Sequence, residues 1–115
     1  MEVPIGTIVA WAKTLTGTPT LPTNWVECNG QTLSDGSSVY NGQTMPTMNT
    51  ANRFVRGSDE TTGTTGGASS HTHTLSSAST TIDSIAQVPV LTAGTTGTSS
   101  NAPVFYDVVW IIKVK

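Results

Sequence analysis

His71 and His73 are the only histidines of this chain, and they stand one residue apart in SSHTHTLSS (69–77), a run made otherwise almost wholly of hydroxyl side chains. In an extended strand residues i and i+2 point to the same face. The two imidazoles therefore project together while Thr72 and Thr74 project the other way. Two neutral imidazoles on one face make half of a metal site. Structural zinc takes four ligands, and catalytic zinc takes three with one position open. One chain supplies neither set: it has no third histidine, the nearest carboxylates (Glu60 and Asp83) lie ten or more residues away, and the single cysteine, Cys28, is remote in sequence. Three copies about a threefold axis would bring six imidazole nitrogens together in two stacked triangles. That octahedron suits a transition ion such as Fe(II), Ni(II) or Zn(II) better than Mg or Ca. The alternative is a pair of solvated loop histidines.

The composition sets what could hold such a pair. The chain has 115 residues, enough for one domain. Hydrophobic residues make up 36% and charged residues 10%, while 22 Thr and 12 Ser supply nearly three hydroxyls in every ten residues. Thr favours a pleated, half-buried surface, and Ser and Gly favour turns. A net charge of -2 with five basic residues leaves no stripe to neutralise phosphates, so nucleic-acid binding is not expected. No apolar run approaches the roughly 18 residues of a membrane span, so membrane insertion is not expected either. Cys28 cannot form an internal disulfide and reads as a small buried hydrophobe.

Along the chain the pattern is β and irregular, with no sustained 3.6-residue apolar period. PIGTIVAWAK (4–13) alternates as a strand, with Ile5, Thr7, Val9 and Trp11 on one face. WVECNGQTL (25–33) predicts a short hairpin turning at Asn29-Gly30, and a short extended piece is expected around Phe54 and Val55. APVFYDVVWIIKVK (102–115) predicts a closing strand with Val108, Trp110, Ile112 and Val114 on one face. Residues 57–102 are poor in apolar and charged side chains alike, so one copy could not bury enough there to offset chain entropy. Several copies winding together could, because Gly, Ser and Thr let backbones approach closely. Oligomerisation follows as an expectation from so thin a core.

Four segments, in order, resemble the phage tail-collar family, which includes bacteriophage short tail fibres. PIGTIVAWA with LPTNWVECNGQTL is similar to that family's opening. MPTMNTANRFVRGSD resembles its Leu-Pro-Asp-Leu-x-x-Arg-Phe-x-Arg-Gly signature, carried here by Pro46, Met48, Arg53, Phe54, Arg56 and Gly57. GGASSHTHT resembles the Gly-rich lead into His-x-His, and NAPVFYDVVWIIKVK resembles the family ending. The resemblance covers nearly the whole chain and implies an intertwined homotrimeric fibre-tip domain, mostly β with irregular segments. It implies one axial ion held by His71 and His73 of three chains, iron (Fe2+) being the ion expected and zinc the alternative. Two departures limit the transfer. Leu33 to Thr44 is short where many members carry a small helix, and the 27 residues between His73 and Asn101 exclude a large receptor-binding head.

The expectations that follow are these. Residues 1–60 form a collar-like β domain, and residues 61–115 form the metal-binding, intertwined distal region with the closing strand, the two making a single structural unit. The protein is a distal tail-fibre domain of a bacteriophage or tailocin, extracellular when assembled on the virion, that binds a bacterial surface glycan or outer-membrane protein. Residues 75–102 would form the outermost loops and carry that contact. The alternatives are a purely structural trimerisation and folding tip, or a monomeric carbohydrate-binding or hydrolytic β domain. No Ser-His-Asp set and no glycosidase-type carboxylate pair stands out, so catalysis is not expected. Arg53 and Arg56 are expected to pair with acidic residues such as Asp59, Glu60 or Asp107, within one chain or across chains, rather than with a sugar phosphate. Trp11, Trp25, Trp110, Phe105 and Tyr106 are expected to pack rather than to stack on sugars.

Overall fold

The computed structural model describes residues 2–59, 61–75 and 94–115. Its strands, in chain order, are β1 (Ile8–Trp11), β2 (Trp25–Glu27), β3 (Ser70–His71), β4 (Thr74–Leu75), β5 (Gly94–Thr95), β6 (Ser99–Ser100) and β7 (Val109–Lys113). The described residues are mostly β and irregular and include no helix, least of all one long and apolar enough to cross a membrane. They fall into two compact units, Met1–Thr64 with Tyr106–Lys115, and Thr65–Phe105. The closing strand thus belongs to the same unit as the N-terminal segment and not to the unit of residues 65–105.

In the first unit the most apolar run of the chain takes the central place. Strand β7 lies between β1 and β2, antiparallel to both, with Ile8 opposite Ile112, Trp11 opposite Val109 and Val26 opposite Ile112. Ile112 and Val114 are buried and Trp110 is half-buried on the core side, as the alternation predicts. Ile111 and Lys113, which alternate with them on the other face, are buried as well. The Lys113 ammonium keeps a hydrogen-bond partner by donating to the carbonyl of Val3 at 2.8 Å.

The expected hairpin at Asn29-Gly30 does not form. β2 spends its hydrogen bonds on β7, and residues 29–33 pair instead with residues 42–47, through bridges Asn29↔Thr47 and Thr32↔Thr44. Gly30 is needed for another reason. Its φ is +80°, and a Cβ there would lie 2.7 Å from the Thr47 hydroxyl. The connection 34–41 is closed by Asp35, whose carboxylate accepts the Ser37 N–H at 3.0 Å and the Lys115 ammonium at 2.7 Å. The extended piece expected at Phe54 and Val55 is irregular, and both side chains are exposed.

These segments close a small core of Cys28, Leu33, Met45, Ile112 and Val114, with Val26, Tyr40, Met48 and Trp110 packed against it. The polar joints around it are satisfied. The Cys28 carbonyl accepts the N–H groups of Met48 and Asn49 at 2.9 and 3.0 Å. The Asn49 amide then mimics a strand edge: its Oδ1 accepts the Trp110 N–H at 2.8 Å and its Nδ2 donates to the Trp110 carbonyl at 3.0 Å. Buried Ser38 donates to the Val114 carbonyl at 2.5 Å.

The second unit is a two-stranded ribbon. β3 pairs β6 and β4 pairs β5, both antiparallel. None of its described residues is buried; Ser70 and Thr96 are partly so.

Two outcomes follow. Asn49→Ala leaves the Trp110 N–H without its acceptor and should destabilise the chain by about 1–3 kcal/mol, read as a lower urea midpoint at unchanged m-value. The Lys115 hydrogen bond, then the Ser37 N–H, lower the Asp35 carboxyl from its usual range. A lowered carboxyl stabilises the fold above the unfolded pKa of about 3.9 and loses that contribution as pH falls through the folded value. Asp35→Asn should therefore be less stable than the native chain at pH 7, with the gap closing below about pH 4.

Candidate functional site

The histidine pair sits where the ribbon changes register. The pairs Ser70↔Ser100 and His71↔Ser99 are followed by Thr74↔Thr95 and Leu75↔Gly94. Thr72 and His73 therefore face three residues, Thr96, Gly97 and Thr98, and the second strand carries a one-residue bulge. Such a bulge re-aims local side chains and leaves a ladder position unpaired. Thr96 closes the gap: its N–H donates to the His73 carbonyl at 2.9 Å, and its hydroxyl accepts the His73 N–H at 2.8 Å.

With the backbone held in this way, the rings of His71 and His73 lie side by side, centroids 5.0 Å apart and planes at 89°. Both side chains are exposed, so both rings are open to a ligand. His71 Nδ1 is hydrogen-bonded to Asn101 Oδ1. Asn101 is itself tied to the opposite strand, through its N–H to the Ser69 carbonyl at 2.9 Å and its Nδ2 to the Ala68 carbonyl at 3.2 Å.

Among the described residues no third His, Cys, Asp or Glu joins the pair. The two rings suit a transition ion by donor type, since imidazole is a ligand for Zn, Fe, Ni and Cu, and the Asn101 contact supplies the outer hydrogen bond that ligating histidines carry. One chain's described residues fill two positions of such a shell.

The other residues singled out in the sequence are not at this pair. Cys28 is fully buried in the core of the first unit. Arg53 donates from Nη1 to the Thr47 carbonyl at 2.6 Å. The ion pairs of the described residues are Lys13–Glu27, Lys113–Glu2 and Lys115–Asp35, so within one chain Arg53 and Arg56 form no ion pair with Asp59 or Asp107. Glu60 and residues 76–93, with most of the expected receptor loops, lie outside the described residues. The three tryptophans are half-buried, Trp110 against the core. Phe105 and Tyr106, expected to pack, are 63% and 81% exposed, and Val104 beside them is fully so. Trp11, Lys13, Leu15, Tyr106 and Asp107 line an open cleft in the first unit, where Lys13 is held by the Glu27 carboxylate at 2.5 Å.

Asn101 and Thr96 had no assigned role in the sequence. Asn101 belonged to the closing motif and Thr96 was one hydroxyl among many. Only the antiparallel pairing of residues 70–75 with 94–100 brings them to the histidines. No family model, curated protein or solved structure matches this chain.

Burial pushes the Cys28 thiol up to about 11. At pH 8 it is neither ionised nor accessible, and thiol reactivity requires both. Native protein should leave a disulfide reagent such as Ellman's unreacted at that pH, and denatured protein should titrate one thiol per chain. Fast reaction of the folded protein would contradict this placement.

Proposed function

We propose that this chain is the distal domain of a trimeric receptor-binding fibre of the tail-collar type, carried on a phage or tailocin and turned toward the bacterial surface. The observation that supports it most is the exposed, paired His71 and His73 on a ribbon with no buried side chain among its described residues. A two-stranded ribbon alone is marginal in water. Its surface must be completed by something, and further copies of itself would complete both the surface and the ligand set.

On this reading His71 and His73 of three chains supply six imidazole nitrogens to one ion, Fe(II) or Zn(II). The ion staples the chains together. With all positions filled by protein, none is left for a substrate, so it contributes stability and not catalysis. The exposed Val104, Phe105 and Tyr106 are apolar area that neighbouring chains would cover. The receptor is a glycan or outer-membrane protein of the host envelope, contacted by the polar segment 75–102.

The expected mass in sedimentation equilibrium is about three times the 12.0 kDa of the chain. Elemental analysis should find about one transition-metal ion per three chains. Replacing His71 and His73 together by Ala should remove the ion and roughly 4 kcal/mol of stabilisation where the ion stands at about 1,000 times its Kd. A 12 kDa species, or a metal-free trimer whose melting ignores both chelator and the double substitution, would sink the proposal.

A further inference from the structure

A metal ligand must present a lone pair, and a neutral imidazole has only one. Which nitrogen offers it depends on where the ring proton sits, and the partner of the other nitrogen decides that. In water a histidine side chain favours the proton on Nε2, which leaves Nδ1 as the donor atom. The surroundings of His71 reverse this preference.

The Asn101 amide is what reverses it. Its backbone N–H donates to the Ser69 carbonyl at 2.9 Å, which fixes the residue against β3. Its Nδ2 donates to the Ala68 carbonyl at 3.2 Å. Turning the amide over would set two oxygens against each other at Ala68, so the orientation is determined. Oδ1 alone is then left to meet His71 Nδ1. An amide oxygen only accepts, so Nδ1 must carry the proton. We infer that Asn101 is a positioning residue that holds His71 as the Nδ1–H tautomer and so leaves Nε2 as its metal-ligating atom. The assignment of the proton stands on this network alone; its use in metal binding rests on the reading proposed above.

The test uses the full chain, uniformly labelled with nitrogen-15 and stripped with chelator. Long-range proton–nitrogen correlations then report which ring nitrogen of His71 is protonated. Native protein should show protonated Nδ1. Asn101→Ala should revert to protonated Nε2 and should bind Zn(II) about 10- to 100-fold more weakly in a competition titration. Protonated Nε2 in the native protein, or one tautomer in both proteins while Zn(II) still binds, overturns the positioning role and leaves the metal reading standing. A tautomer that follows Asn101 in a chain that binds no Zn(II) overturns the metal reading and the ligating role of Nε2, and supports the assignment of the proton. Should Asn101→Ala fail to fold, the zinc-loaded native protein decides: zinc on Nε2 of His71 supports the inference, and zinc on Nδ1 overturns it.

Discussion

Strands β1 and β2 form no ladder with each other; each is held through Val109–Lys113. The first unit depends on that one strand having both edges occupied. Where β2 ends, the hydrogen bonding of β7 is continued by the Cys28 N–H and by the Asn49 amide, both directed at Trp110. Where β7 ends, Asn24 and Ser38 take over at Val114. Segments that have little apolar area of their own are thereby gathered around a core of five buried side chains. A core this size leaves little margin, so the backbone and amide joints around it matter as much as the side chains inside.

What was legible in the sequence follows from where burial specifies structure. Residues 109–113 could be read as a strand because β-branched and aromatic side chains recur there, and a half-buried surface selects for them. The burial of Cys28 was legible on the same grounds. The Asn29-Gly30 turn misled, since a glycine with positive φ signals a left-handed backbone without saying what lies against it. Here the neighbour is Thr47 and not a returning strand. The ribbon was not legible at all. Apart from Leu75 its strand residues are Thr, Ser, Gly and His, with no apolar face to set a register, and its two strands are separated by residues 76–93. The period of two was still enough to place His71 and His73 on one side. The residues that hold them, Thr96 and Asn101, come from the opposite strand, and no spacing in the sequence could indicate them.

The two units differ in what stabilises them. The first unit buries apolar groups and satisfies its buried polar atoms. The ribbon relies on backbone ladders, a bulge and hydroxyl or amide contacts that remain open to water. Exposed hydrogen bonds of that kind contribute little each. Their role is to fix directions, those of a backbone at His73 and of a ring at His71.

The foot of the ribbon is pinned at Ser69 and Asn101, and its described pairing ends at Leu75 opposite Gly94. The register at both histidines is set by four backbone pairs, from Ser70 with Ser100 to Leu75 with Gly94. Because these are main-chain contacts, exchanging one polar side chain of the ribbon for another leaves the two rings on a common side.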